Sequence, residues 1–145
     1  MFEKILFPTD FSDVAKKAQG FVKKLKEAGC REITLLHVVD QSSLDVMSSI
    51  GSVPDYISLA KEMENNASNE LAGIEDEFKN HGFTVKSVIR QGVPLREILA
   101  TAHEDPSAVI VIGSHGKSNI KEMLLGSVSE KVIRKAKNPV LVVKR

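Results

Sequence analysis

Apolar residues change spacing repeatedly along this chain, and the changes predict an alternation of strands and helices. Lys4-Ile-Leu-Phe7 is a short apolar run stopped at Pro8, which reads as a buried strand. Ser12 can then cap a helix in which Val14, Ala18, Phe21 (or Val22) and Leu25 recur at three and four residues, with Gly29 at its end. Residues 32–39 form a second strand, apolar on both faces and so central. Tyr56, Ala60, Met63, Ala67, Leu71, Ile74 and Phe78 keep helical spacing through a long second helix ended by Gly82, a stripe that reads as core rather than ligand contact. Residues 83–89 are a third strand. Gly92-Val-Pro94 turns into a third helix with Leu95, Ile98, Leu99 and Ala102 inward. A fourth strand spans 108–112, a fourth helix carries Val128, Val132, Ile133 and Ala136, and residues 139–143 are a fifth strand.

Five strands joined by helical crossovers imply an α/β fold: an open parallel sheet with helices on both faces, in a single domain over 1–145. Ligands of such sheets bind beyond the carboxyl ends of the strands, where strand order reverses. Pro8-Thr-Asp10 and Gly113 would meet there if the first and fourth strands are neighbours. One stretch breaks the alternation. Residues 40–54 hold five serines and one glycine with weak periodicity, and 41–53 reads as a flexible loop or lid, or equally as a tolerated surface insertion.

The richest chemistry follows the fourth strand. Residues 113–116 read Gly-Ser-His-Gly, and Gly126-Ser127 comes after nine more residues, at a helix start. Strand, glycine-rich loop and helix N-terminus together cradle phosphate: glycine lets backbone approach an anion, and the helix start supplies unpaired amides. Ser127-Val-Ser-Glu130 also matches a capping box, which is compatible with phosphate binding because capping leaves amides free. Gly116-Lys-Ser118 is not a Walker loop, since the glycine required five residues earlier is Val111, inside the strand. Lys117 either meets phosphate or is solvated. Asp10 either serves the turn or sits at the crevice on a ribose hydroxyl or a metal-bound water, where a magnesium ion would make a carboxylate tolerable beside phosphate. Val38 and Val39 end the second strand, and a backbone amide and carbonyl there read either as contacts for an adenine edge or as ordinary strand-end groups. His37, His81, His103 and His115 show no ligand spacing, and His115 has no evident acid partner.

Composition narrows the partners. The chain carries 20 basic and 19 acidic residues, a net charge of +1, which is no footprint for nucleic acid or an anionic membrane. Aromatic residues are 5% with no Trp, which argues against base-stacking platforms. The single cysteine, Cys30, fits a reducing compartment and reads as a spectator in a turn, with a reactive thiol as the alternative. The N-terminus enters a strand directly, without signal-peptide architecture, and no apolar run reaches the ~20 residues of a spanning helix. The expected location is cytoplasmic.

The pattern Gly113, Gly116, Gly126-Ser127 resembles the ATP-binding motif of the universal stress proteins. The opening Ile5-Leu-Phe-Pro-Thr-Asp-Phe-Ser12, the strand Leu35-Leu-His-Val38 and the ending Asn138-Pro-Val-Leu-Val-Val143 resemble that family too, and the likeness runs over almost the whole chain. It implies a Rossmann-like sheet of the adenine nucleotide alpha hydrolase type, with strand order 3-2-1-4-5. It implies ATP with Mg2+ or Mn2+: adenine at Pro8, Thr9 and Val38, ribose or metal at Asp10 (the metal through water), and ribose and phosphates at Gly113, Ser114, Gly116, Gly126, Ser127, Val128 and Ser129. It also implies a homodimer through the last strand, Val140, Leu141, Val142 and Val143, whose apolar edge needs cover. The functional expectation is a nucleotide-dependent switch or binding module in stress response, with an unidentified protein partner. Two alternatives stand beside it: a slow, partner-stimulated ATPase or phosphoryl- or nucleotidyl-transfer enzyme using Ser127 and Ser129, and an interaction protein whose partner surface is 41–53 with ATP merely structural.

Overall fold

A computed structural model describes residues 2–50, 55–115 and 125–145. The elements in chain order are β1 (Lys4–Pro8), α1 (Asp13–Lys24), β2 (Glu32–Asp40), α2 (Gln41–Ser49), α3 (Tyr56–Asn80), β3 (Thr84–Gly92), α4 (Pro94–Glu104), β4 (Val109–Gly113), α5 (Ser127–Lys135) and β5 (Val140–Val143). The five strands form one sheet ordered β3-β2-β1-β4-β5, every neighbouring pair parallel.

Both faces of the sheet are covered, which is why its central strands read as unbroken apolar runs. Ile5, Phe7, Ile33 and Leu35 point to one side, against Ala18 and Val22 of α1 and Leu71 and Phe78 of α3. Leu6, Leu36, Ile110 and Ile112 point to the other, against Ile98 and Ala102 of α4 and Val132 of α5. Right-handed crossovers that move one way from β1 to β3, and the other way from β3 to β4 and on to β5, put α1 and α3 on one face and α4 and α5 on the other. The reversal falls between β1 and β4.

Ser12 caps α1 as its position suggests, its hydroxyl accepting from the Ala15 amide at 3.2 Å. Val22 rather than Phe21 takes the core position, and Phe21 lies outside beneath the Lys24 ammonium. Cys30 is buried in the core at the entry to β2, and that burial pushes its thiol up. A reactive thiolate is therefore the weaker of its two readings. Asn138 ties α4, β4 and β5 together. Its buried amide donates to the carbonyls of Ala102 (3.3 Å), Asp105 (3.0 Å) and Ala108 (3.0 Å).

Two local expectations are corrected. The stretch 41–53 is not a loop through its first nine residues: Gln41–Ser49 is α2, and 51–53 lie outside the described residues. Asp40 closes β2 and at once caps the helix, accepting from the Ser42 amide at 3.0 Å. Leu44 is the one fully buried side chain of α2, packed with Val39 and Leu59, so the segment carries too little periodicity to announce itself. The capping box at Ser127 does not form either. Gly126, extended at φ −61° and ψ 153°, is the N-cap, and it has no side-chain cap bond. Ser127 is already helical, and Glu130 pairs forward with Arg134 at 2.6 Å instead of reaching back.

Candidate functional site

A cavity of about 470 Å³ opens at the carboxyl edge of the sheet, between the ends of β1, β2 and β4 and the start of α5. Of the residues expected from the sequence, Pro8, Thr9, Asp10, Val38, Gly113, Gly126, Ser127, Val128 and Ser129 all line it. They arrive from four separate segments because β1 pairs β2 on one side and β4 on the other. Ser114 does not line the cavity. It is buried behind the wall, its amide donating to the Val143 carbonyl (2.8 Å) and its carbonyl accepting from the Gly126 amide (2.7 Å). Gly116 and Lys117 lie outside the described residues.

At the β1–β2 end, the Thr9 amide donates to the Leu36 carbonyl at 2.8 Å. Leu36 therefore turns its backbone groups towards β1. Two residues on, the alternation of the strand aims the Val38 amide and carbonyl the same way, past the point where β1 has stopped. A donor and an acceptor side by side, with Met63, Pro94 and Ile98 also lining the cavity, match one edge of a planar heterocycle. Asp10 stands next to them, one carboxylate oxygen accepting from the Ser12 amide at 3.0 Å.

At the other end, the first bond inside α5 runs from the Glu130 amide to the Gly126 carbonyl at 2.9 Å. The amides of Ser127, Val128 and Ser129 precede it and have no carbonyl of their own helix to meet. They supply the partial positive charge of the helix start on the cavity wall. The Ser129 hydroxyl donates to the Gly113 carbonyl at 2.7 Å, so its proton closes the joint between β4 and α5. Gly113 is needed for a reason unrelated to phosphate: a Cβ there would sit 2.7 Å from Val14 Cγ1 in the first turn of α1.

Several lining residues were missed. Met63 and Ile98 were read only as core, Pro94 only as a helix start, and His37 and His115 as unassigned, yet all border the cavity. His37 contacts Thr9 (2.8 Å) and His115 contacts Ser114 (2.7 Å), and neither pairing follows a periodic pattern along the chain. Among the described residues, no group of three or more His, Cys, Asp or Glu side chains is arranged to hold a metal. No helix among them is long and apolar enough to cross a membrane.

Universal stress protein MJ0577 of Methanocaldococcus jannaschii is 42% identical over 156 residues, covering all of this chain and 96% of the relative. Its solved structure superposes with a TM-score of 0.89 over all of this chain and 97% of that one. Universal stress protein YxiE of Bacillus subtilis is 32% identical over 148 residues, covering 99% of this chain and all of the relative. The same fold, at lower identity, is seen in a universal stress protein family protein of Arabidopsis thaliana with AMP bound (19%, TM-score 0.63, 98% of this chain and 91% of that one). It recurs in a universal stress protein in complex with cAMP (21%, TM-score 0.67, 99% and 97%). The model of the universal stress protein family matches residues 1–144, and with this sheet order and relatives aligned from end to end the chain belongs to that family.

Proposed function

We propose that the cavity binds ATP together with Mg2+ or Mn2+, and that the protein works as a nucleotide-dependent switch or binding module in stress response. The observation that carries this reading is the placing of complementary groups at opposite ends of one cavity. Val38 offers a donor–acceptor edge at one end, and the start of α5 offers unpaired amides at the other. Pro8, Thr9 and Val38 would border the base. Gly113, Gly116, Gly126, Ser127, Val128 and Ser129 would hold ribose and phosphates, with Ser114 acting from behind by fixing Gly126.

Asp10 fits a cation that arrives with its phosphates. One of its carboxylate oxygens is engaged by the Ser12 amide, which leaves the other for a metal-bound water or a ribose hydroxyl. Mg2+ commonly takes one or two carboxylates plus phosphate and water rather than a protein cage, in keeping with the donors at hand. When bound, the cation would neutralise phosphate charge. The chain's own part is to aim amides and exclude water. A ligand spanning this cavity would touch the ends of β1, β2 and β4 and the start of α5 at once, which is how its presence could bias the surrounding loops. AMP and cAMP in two proteins of this fold belong to the ligand class proposed.

Titration calorimetry on nucleotide-stripped protein should give saturable binding of ATP at one site per chain, stronger with Mg2+. Heats no larger than dilution would end this reading. The commitment of the Ser129 proton to the Gly113 carbonyl favours binding over catalysis at that hydroxyl. Phosphate release from ATP should accordingly be unchanged in S127A/S129A.

The same reading extends to a homodimer. Among the described residues β3 and β5 are the edge strands, but β3 is studded with Lys86, Ser87, Arg90 and Gln91, whereas β5 is Val-Leu-Val-Val. Charged edges repel strand addition and apolar ones invite it. A second reading, an interaction protein built on 41–53, draws on the exposed Val46, Met47 and Ile50. V46S/M47S/I50S should then abolish capture of a cellular partner while sparing ATP affinity, and unchanged capture would remove it.

A further inference from the structure

We propose that His37 is a positioning residue for the base end of the cavity, acting through the Thr9 carbonyl; this rests on the nucleotide reading above. The backbone ladder between β1 and β2 ends with the Thr9 amide on the Leu36 carbonyl. The chain then leaves the sheet for α1, and the Thr9 carbonyl passes beyond the ladder. The His37 side chain takes its place there, with Nδ1 2.8 Å from the Thr9 oxygen. A carbonyl only accepts, so Nδ1 carries the proton, and the bond exists in the neutral Nδ1–H tautomer and in the imidazolium alike.

The turn that His37 holds is a strained one. Phe11 has φ +64°, in the left-handed region that a bulky residue rarely adopts. Local bonds support it: the Thr9 hydroxyl accepts from the Phe11 amide (3.2 Å), and the Asp10 carboxylate accepts from the Ser12 amide (3.0 Å). These lie within the turn and cannot orient it against the sheet. His37 can, because it belongs to β2. Its ring stacks on Phe11 with centroids 4.5 Å apart and planes 23° apart, while its Nδ1 grips Thr9. The two contacts hold the residues on either side of Asp10 in the chain. Thr9, Asp10 and Val38 thus keep one geometry, and Val38 is the residue next to the clamp.

Two variants separate the contacts. His37→Phe keeps a ring against Phe11 and removes the donor. His37→Asn removes the ring and places an amide nitrogen where Nδ1 was. Calorimetry would be run with ATP and with inorganic tripolyphosphate, which has no base. H37F should weaken ATP about tenfold, the worth of one hydrogen bond, while tripolyphosphate affinity stays unchanged. H37N should bind ATP within about threefold of the wild type, the loss of the ring stack being the smaller effect. Wild-type ATP affinity in H37F, equal losses for both ligands, H37N as weak as H37F, or an H37F chain that does not fold would each overturn the assignment.

Amide exchange in the ligand-free protein tests the clamp apart from the nucleotide. Faster exchange at Phe11 and Ser12 in H37F is expected even if the wild type binds no ATP, an outcome that would defeat the nucleotide reading alone. Unchanged exchange there would overturn the clamp.

Discussion

At the scale of single residues, the same glycine can satisfy two arguments, and only its neighbours say which one applies. Gly113 opens the glycine-rich stretch, and phosphate approach is the natural reason to expect it there. Its surroundings give a packing reason. An added Cβ would meet Val14 Cγ1 at 2.7 Å and Val14 Cβ at 3.3 Å, and the second of these cannot swing away by a side-chain rotation. Gly113→Ala should therefore cost about 1–3 kcal/mol of stability, the usual price of overpacking. Urea denaturation would measure it, and V14A/G113A should recover part of the loss, because the closest clash is with the Val14 side chain. Equal stability of G113A and wild type would show that β4 and α1 can part freely. Asp105 shows local chemistry of another kind. The Ser107 hydroxyl holds its carboxyl below the usual aspartate range, Lys4 adds to the effect, and burial opposes it.

Elements are held in register by groups the hydrophobic pattern does not describe. Periodicity located α1, α3 and α4 because each buries a stripe against the sheet, and burial repeats with the helical turn. α5 is a helix as expected, but Val128 and Ile133 of its expected stripe are exposed, and its buried residues are Ser129 and Val132. α2 escaped because Leu44 alone is deeply buried there. The join of α4, β4 and β5 depends on Asn138, whose two amide protons are shared among three carbonyls. Replacing Asn138 with Ala would leave buried carbonyls at the end of α4 and the start of β4 without that donor. A loss of about 2–3 kcal/mol is expected, read as a lower denaturation midpoint with an unchanged slope. A variant as stable as the wild type would mean that these carbonyls find other donors. The start of α5 belongs to this scale too. Its sequence matches a capping box, yet Gly126 takes the cap and Ser129 bonds to Gly113, because β4 runs beside that end of the helix.

For the whole molecule, the sheet order decides both where a ligand can sit and which edge stays open. β5 is four residues long and apolar, pairs only with β4 among the described residues, and carries the partly exposed Leu141. If that edge pairs with a second copy, Leu141→Lys should convert a dimer to a monomer in sedimentation analysis without lowering the sheet signal in circular dichroism. A wild-type chain that sediments as a monomer at all accessible concentrations would dispose of the dimer. The sequence by itself determined the alternation of elements, the two-sided burial of the central strands and the glycine-rich segment after β4. These are local patterns, written by burial that repeats every second or every third to fourth residue. The tertiary structure alone decided what each polar group meets. The Thr9 carbonyl under His37, the Ser129 proton on Gly113 and Val14 against Gly113 join residues 16 to 99 positions apart. The parallel crossovers bring those positions together, and no periodicity along the chain records such a meeting.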